Sequence, residues 1–190
     1  MELPKKKLDI LNTAEDLFTR FGFKRITVEE ICQKSNVSKM TFYKYFQNKN
    51  ELIKAWLNKL IDDGYERLDE VNKQNIPFTE KIKFILNMKK EYTDKMSNEF
   101  LEEYLENTEP GMNEWMGEVY KKSMDKFLKF MKEAQEAGDI RKNMKPEFFL
   151  FVANKLMELP QDPELQKLYP NYTDLVLEIN NFLFYGLLAR

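Results

Sequence analysis

The sequence contains no histidine and a single cysteine, and these two scarcities exclude more chemistry than any other feature of it. Without histidine there is no HExxH zinc site, no Ser-His-Asp triad and no Cys-His pair. Cys32 has no intramolecular disulfide partner and no CxxC neighbour, which points to a reducing compartment. The six glycines form neither GxGxxG nor GxxxxGK[ST], so the common nucleotide loops are missing too. No apolar run approaches the roughly 18 residues that span a bilayer. The basic start, MELPKKK, leads into no uninterrupted apolar stretch, so no signal peptide is expected. A cytoplasmic protein without membrane, metal or cofactor is expected. An enzyme is not expected, since only carboxylate chemistry is left open.

Glycine and proline are scarce as well, six and seven in 190 residues, so long stretches run without a breaker and amphipathic helices become the default. A hydrophobic content of 43% supplies a core for one large domain, or for a small domain joined to a medium one. The net charge of −2 conceals an asymmetry, because residues 1–60 carry +5 and residues 61–190 carry −7. A basic head on an acidic body suits a protein whose head alone meets a polyanion, although most charge runs are only solvated faces.

The apolar periodicity predicts an all-α chain. Leu8, Leu11, Ala14, Leu17, Phe18 and Phe21 mark a helix over 7–21, closed by Gly22. Thr27 and Glu30 are spaced as a capping box, with Ile26 and Ile31 placed as its hydrophobic staple, and open a short helix to about Ser35. Asn36 suits a left-handed turn, and Val37 can plug the corner beyond it. Ser38 caps a third short helix to about Phe46, and Asn48 with Glu51 starts a long one over 48–73. Further helices are expected near 79–96, 98–107, 112–137, 146–159 and 172–188, punctuated at Pro110-Gly111, Gly138, Pro146 and the Pro160-Gln161-Asp162-Pro163 stretch.

Two short helices joined by a tight turn and packed on a longer first helix make a helix-turn-helix. Its platform core would be Ala14, Phe18, Phe21, Val28, Ile31, Val37, Phe42 and Phe46. The helix SKMTFYKYF crowds Lys39, Met40, Thr41, Tyr43, Lys44 and Tyr45 beside Phe42 and Phe46, and a helix serving only the core has no need of that polar set.

Residues 10–53 resemble the DNA-binding domain of the Tet-repressor (TetR/AcrR) family. The likeness rests on A-x-x-L-F-x-x-x-G-F at 14–23, T-V-x-x-I at 27–31 and V-S-K-x-T-F-Y-x-Y-F-x-N-K-x-E-L at 37–52. Met40 departs from it, standing where the family commonly has glycine. The resemblance implies a dimer of nine- or ten-helix subunits, Ω-shaped, paired through the last two long helices. It implies a helix-turn-helix head over 1–50 and a regulatory and dimerisation domain over 51–190, linked by the long helix 48–73. By position it places Lys39, Met40 and Thr41 at base edges, and Thr27, Thr41, Tyr43, Lys44, Tyr45 and Lys49 at phosphates. Lys5–Lys7 would add a flexible basic arm.

The resemblance further implies a pseudo-palindromic operator and repression relieved by a small effector. Methionines and aromatics are dense in the body, which reads either as ordinary bundle core or as a pliable pocket for an apolar or amphipathic ligand. The residues for such a pocket are Trp56, Leu60 and Tyr65, then Phe84, Met88 and Tyr92, then Met116, Tyr120, Met124 and Phe127. Glu91 or Glu103 would suit a cationic ligand. Phe148, Phe149, Val152 and Leu156, with Met157, and Leu175, Ile179, Phe182 and Leu183 lie on helices apolar on more than one face, as a dimer bundle requires. Burial within one subunit would use the same pattern. A regulator without a small ligand, controlled by a protein partner, is the alternative.

Overall fold

The computed structural model describes residues 3–106, 111–156 and 158–185. Among these residues it forms ten α-helices and no strand: α1 (Lys5–Phe21), α2 (Val28–Lys34), α3 (Lys39–Tyr45), α4 (Lys49–Asn72), α5 (Phe78–Asp94), α6 (Asn98–Glu106), α7 (Met112–Ala137), α8 (Pro146–Leu156), α9 (Pro163–Leu168) and α10 (Tyr172–Tyr185). Met157, Pro110 and the end of the helix expected to reach 188 lie outside the described residues.

The contacts divide the chain into two compact units. The first comprises residues 1–69 and 94–115, the second residues 70–93 and 116–190. In the first unit the helix-turn-helix forms as its local chemistry dictates. Thr27 Oγ accepts from the Glu30 N–H at 3.2 Å, and Ser38 Oγ accepts from the Thr41 N–H at 3.1 Å. Each satisfies a backbone donor that a helix start otherwise leaves unpaired. Between them, α2 ends in a Schellman turn. Asn36 takes φ 53, the Val37 N–H reaches the Cys32 carbonyl at 3.0 Å, and the Asn36 N–H reaches the Gln33 carbonyl at 3.3 Å.

The interior of this unit joins Ile10, Leu11, Ala14, Leu17 and Phe18 of α1 to Ile31, Phe42, Phe46, Leu52, Ile53 and Trp56, with Phe100 from α6. Of the expected platform, Ala14, Phe18, Ile31, Phe42 and Phe46 are buried, whereas Phe21, Val28 and Val37 are half-buried at its margin. Each fully buried large side chain contributes about 1.5–3 kcal/mol of transfer free energy.

The second unit packs Phe78, Ile82 and Leu86 of α5 against Met131 and Ala134 of α7, Phe149 of α8 and Phe184 of α10. Its rings form a chain, with Phe127 stacked on Phe149 at 5.3 Å and Phe149 tilted on Phe184 at 6.1 Å. Helix α7 closes in a second Schellman turn, where Gly138 has φ 85 and the Asp139 N–H reaches the Ala134 carbonyl at 2.9 Å.

Two expectations about this unit need correction. Helix α8 does not run on to 159 as expected, since a 3-10 turn, Leu159–Gln161, stands there, because the Pro160 ring would clash with the carbonyl four residues earlier. The stretch Pro160–Pro163, read only as punctuation, also starts α9. The Asp162 carboxylate accepts from the N–H groups of Glu164 at 2.8 Å and Leu165 at 3.4 Å. Pro163 occupies the first helical position, where its missing N–H costs nothing.

Candidate nucleic-acid interface

Helix α3 carries two opposed faces. Phe42 is fully buried and Phe46, which caps the helix, is nearly so; their rings lie 5.7 Å apart. On the other face Met40 keeps 82% of its surface exposed and Tyr43 keeps 54%. Lys39 and Lys44 are exposed beside them, and Thr41 is half-buried next to its cap, with its hydroxyl 3.0 Å from the Ser38 hydroxyl. Lys39, Met40 and Thr41 thus stand together at the start of the helix. Tyr43 and Lys44 continue the exposed face, whereas Tyr45 is half-buried against the core with the Lys44 ammonium 5.9 Å from its ring centre. Thr27 is exposed at the start of α2. The ensemble is a short convex helix on a rigid base, offering cations, hydroxyls and one long apolar side chain to a partner. A major groove lined by phosphates accepts such a helix.

Lys39 does not stand free, because its ammonium donates to the Glu29 carboxylate on α2. That hydrogen bond pulls the Glu29 carboxyl below the usual carboxylate range and raises the Lys39 ammonium above the usual lysine range. Behind the same corner Cys32 is buried, and burial pushes its thiol up, as expected of a quiet core cysteine.

Three expectations meet a different arrangement. Lys49, assigned by resemblance to a phosphate, donates to the carbonyls of Phe23, Lys24 and Ile26 at 2.8, 3.1 and 3.0 Å, which occupies all three of its N–H donors within the head. Glu103, considered for a cationic ligand, accepts from the N–H groups of Phe23 at 2.5 Å and Lys24 at 2.8 Å. Together they bind the connector between α1 and α2, the Glu103 carboxylate taking two of its N–H groups and the Lys49 ammonium three of its carbonyls. Neither role has a local signal, since Glu103 is eighty residues from Phe23 in the chain. Lys5–Lys7, expected as a flexible arm, form the first turn of α1, and the Lys7 ammonium lies 5.6 Å from the Phe46 ring centre.

The residues considered for an effector pocket fall in both units. Trp56, Leu60 and Tyr65 belong to the first. Trp56 is buried between Phe18 and Phe100, with ring centres at 5.6 and 5.4 Å, and its indole N–H has no acceptor. Phe84, Met88, Tyr92, Met116, Tyr120, Met124 and Phe127 belong to the second. Met88 is buried, Phe127 packs on the core, and Tyr120 is exposed and donates to the Asn154 side-chain oxygen at 2.8 Å. Of the residues considered for a dimer face, Phe148, Phe149, Val152, Leu156, Phe182 and Leu183 line one groove of about 620 Å³ between α8 and α10, while Leu175 and Ile179 are buried.

Residues 10–56 match the model of the bacterial regulatory proteins of the tetR family. The uncharacterized HTH-type transcriptional regulator YhgD of Bacillus subtilis strain 168 is 31% identical over 159 residues, which cover 82% of each chain. A TetR-family transcriptional regulator from Cytophaga hutchinsonii shares the fold over 100% of both chains, with a TM-score of 0.74 at 17% identity. The transcriptional regulator FadR from Bacillus subtilis, solved in complex with stearoyl-CoA, shares it over 95% of this chain and 98% of its own, with a TM-score of 0.71 at 15% identity. With a helix-turn-helix built to this pattern and a relative matching over most of its length, the chain belongs to the TetR family and is a DNA-binding transcriptional regulator.

Proposed function

We propose that this regulator is a repressor that holds a pseudo-palindromic operator as a homodimer and leaves it when a small apolar or amphipathic effector binds. Residues 1–50 act as the reading head, and residues 51–190 carry regulation and dimerisation. The observation that carries the DNA-reading part is the division of α3, with Phe42 and Phe46 spent on the core and Met40 and Tyr43 left exposed beside Lys39 and Lys44. Lys39, Met40 and Thr41 contact base edges, where the Met40 side chain suits a thymine methyl. Thr27, Thr41, Tyr43, Lys44 and Tyr45 contact phosphates and fix the register. Lys49 is left out of that set because its donors are already engaged.

Pairing through α8 and α10 is supported by the exposed aromatic rings of Phe148 and Phe182 on the groove between those helices. Release by an effector is supported by the similar fold of the FadR solved with stearoyl-CoA. It is also supported by the buried, unsatisfied indole N–H of Trp56, a donor that an effector acceptor can relieve.

The test is selection of bound duplexes from a random library, with the affinity of the winner measured against salt. One inverted repeat with a steep salt dependence is the expected result. A folded chain that enriches no sequence overturns the reading.

A further inference from the structure

The contact between Glu29 and Lys39 joins the side chains of α2 and α3 on the face proposed to meet DNA. In this it differs from Asp16–Arg20 and Glu30–Lys34 of the same unit, which pair four residues apart along one helix. Both partners are largely exposed, Lys39 by 57% and Glu29 by 62%. Glu30 is turned away to Lys34, so the carboxylate beside the first residue of α3 is that of Glu29. A negative side chain here opposes the charge a DNA surface wants, which makes its placement informative.

We propose that Glu29 is a specificity-determining positioning residue: it holds the Lys39 ammonium at the corner between α2 and α3 and yields it to base-edge acceptors in preference to generic phosphates. This rests on the assignment of Lys39 to a base edge. An exposed ion pair is weak. The paired O6 and N7 acceptors of a guanine edge displace it. A non-specific complex, held by many loosely placed phosphate contacts, gains less from taking Lys39 and must bring phosphates toward the Glu29 carboxylate. The pair therefore lowers affinity for random DNA more than for the operator. Through the hydrogen bond it also fixes where the ammonium sits before DNA arrives.

The test uses full-length wild type, Glu29→Gln, Lys39→Gln and the double variant, each checked for helicity and melting temperature. The probes are the duplex that wild type selects and a random duplex of equal length. Glu29→Gln is expected to raise random-duplex affinity about fivefold and operator affinity no more than about twofold, with the salt slope on random DNA steeper by about one. In the Lys39→Gln background the same change is expected to alter neither affinity beyond about twofold. Equal gains on both duplexes, or a gain that persists without Lys39, overturns the proposal, since Glu29 then acts only as a charge facing phosphates. Repeating the selection with Lys39→Gln separates the layers. Relaxed preference at one symmetric pair of positions is expected. An unchanged motif removes Lys39 from the base edge, and the proposal falls with that assignment while DNA reading stands. A wild-type chain that selects no motif overturns both.

Discussion

At Gly22 the backbone has φ 71 and ψ 174, a region open to almost no residue but glycine. A β-carbon built there would come within 2.7 Å of the Glu103 carboxylate, which is itself held by two backbone N–H groups. Gly22→Ala therefore meets strain and a held neighbour at once. A loss of about 2 kcal/mol or more is expected from urea unfolding, and an unchanged midpoint would contradict this geometry. Cys32 offers a second check at the same scale. Burial raises its thiol above the ordinary 9.0, so the folded state keeps a proton that the unfolded state gives up. The stability this contributes is full at neutral pH and is lost as pH rises above the ordinary thiol range. Relative to wild type, Cys32→Ala is expected to flatten the fall in stability above pH about 9, measured by denaturant midpoints across the alkaline range.

Short helices depend on their ends more than on their length, and α2 and α3 have seven residues each. Ser38 is the start of α3, where its hydroxyl accepts from the Thr41 N–H and touches the Thr41 hydroxyl. Ser38→Ala is expected to cost about 1 kcal/mol in unfolding free energy. It should also weaken operator binding, because the lost cap frees the first turn that carries Lys39, Met40 and Thr41. Full operator affinity in a destabilised Ser38→Ala would show that this turn does not meet the DNA. The Schellman turn at Asn36 sets the angle between these helices by two backbone hydrogen bonds.

For the whole molecule the charge asymmetry and the exposed aromatics of the second unit lie in different stretches of the chain. The net +5 over residues 1–60 places cations where α3 stands, and the net −7 beyond disfavours any second contact with nucleic acid. On the second unit Phe182 is 74% exposed and Phe148 is 58% exposed, beside the groove between α8 and α10. Phe182→Glu places a charge on that face without disturbing a buried side chain. Sedimentation velocity is expected to show a monomer with native helicity, and operator affinity should fall with it, since two half-sites then bind independently. A dimer of unchanged strength would move the pairing surface elsewhere.

Sequence alone determined the parts of this protein that local chemistry controls. Thr27, Ser38 and Asn48 as caps, Gly22 and Asn36 at positive φ, and the spacing of Phe18, Phe42 and Phe46 each depend on neighbours within a few residues, so the helix-turn-helix was legible to nearly its correct ends. Even the missed α9 carried its signal, an aspartate cap followed by proline, read as an interruption rather than a start. Tertiary structure alone decided how side chains with several possible partners were spent. Lys49 and Glu103 were engaged by one connector, Trp56 by the core of the first unit, and Lys39 by Glu29. A charged or aromatic side chain takes whichever acceptor, donor or ring the fold brings within a few ångströms, and residues far apart in the chain leave no periodicity by which that partner can be read.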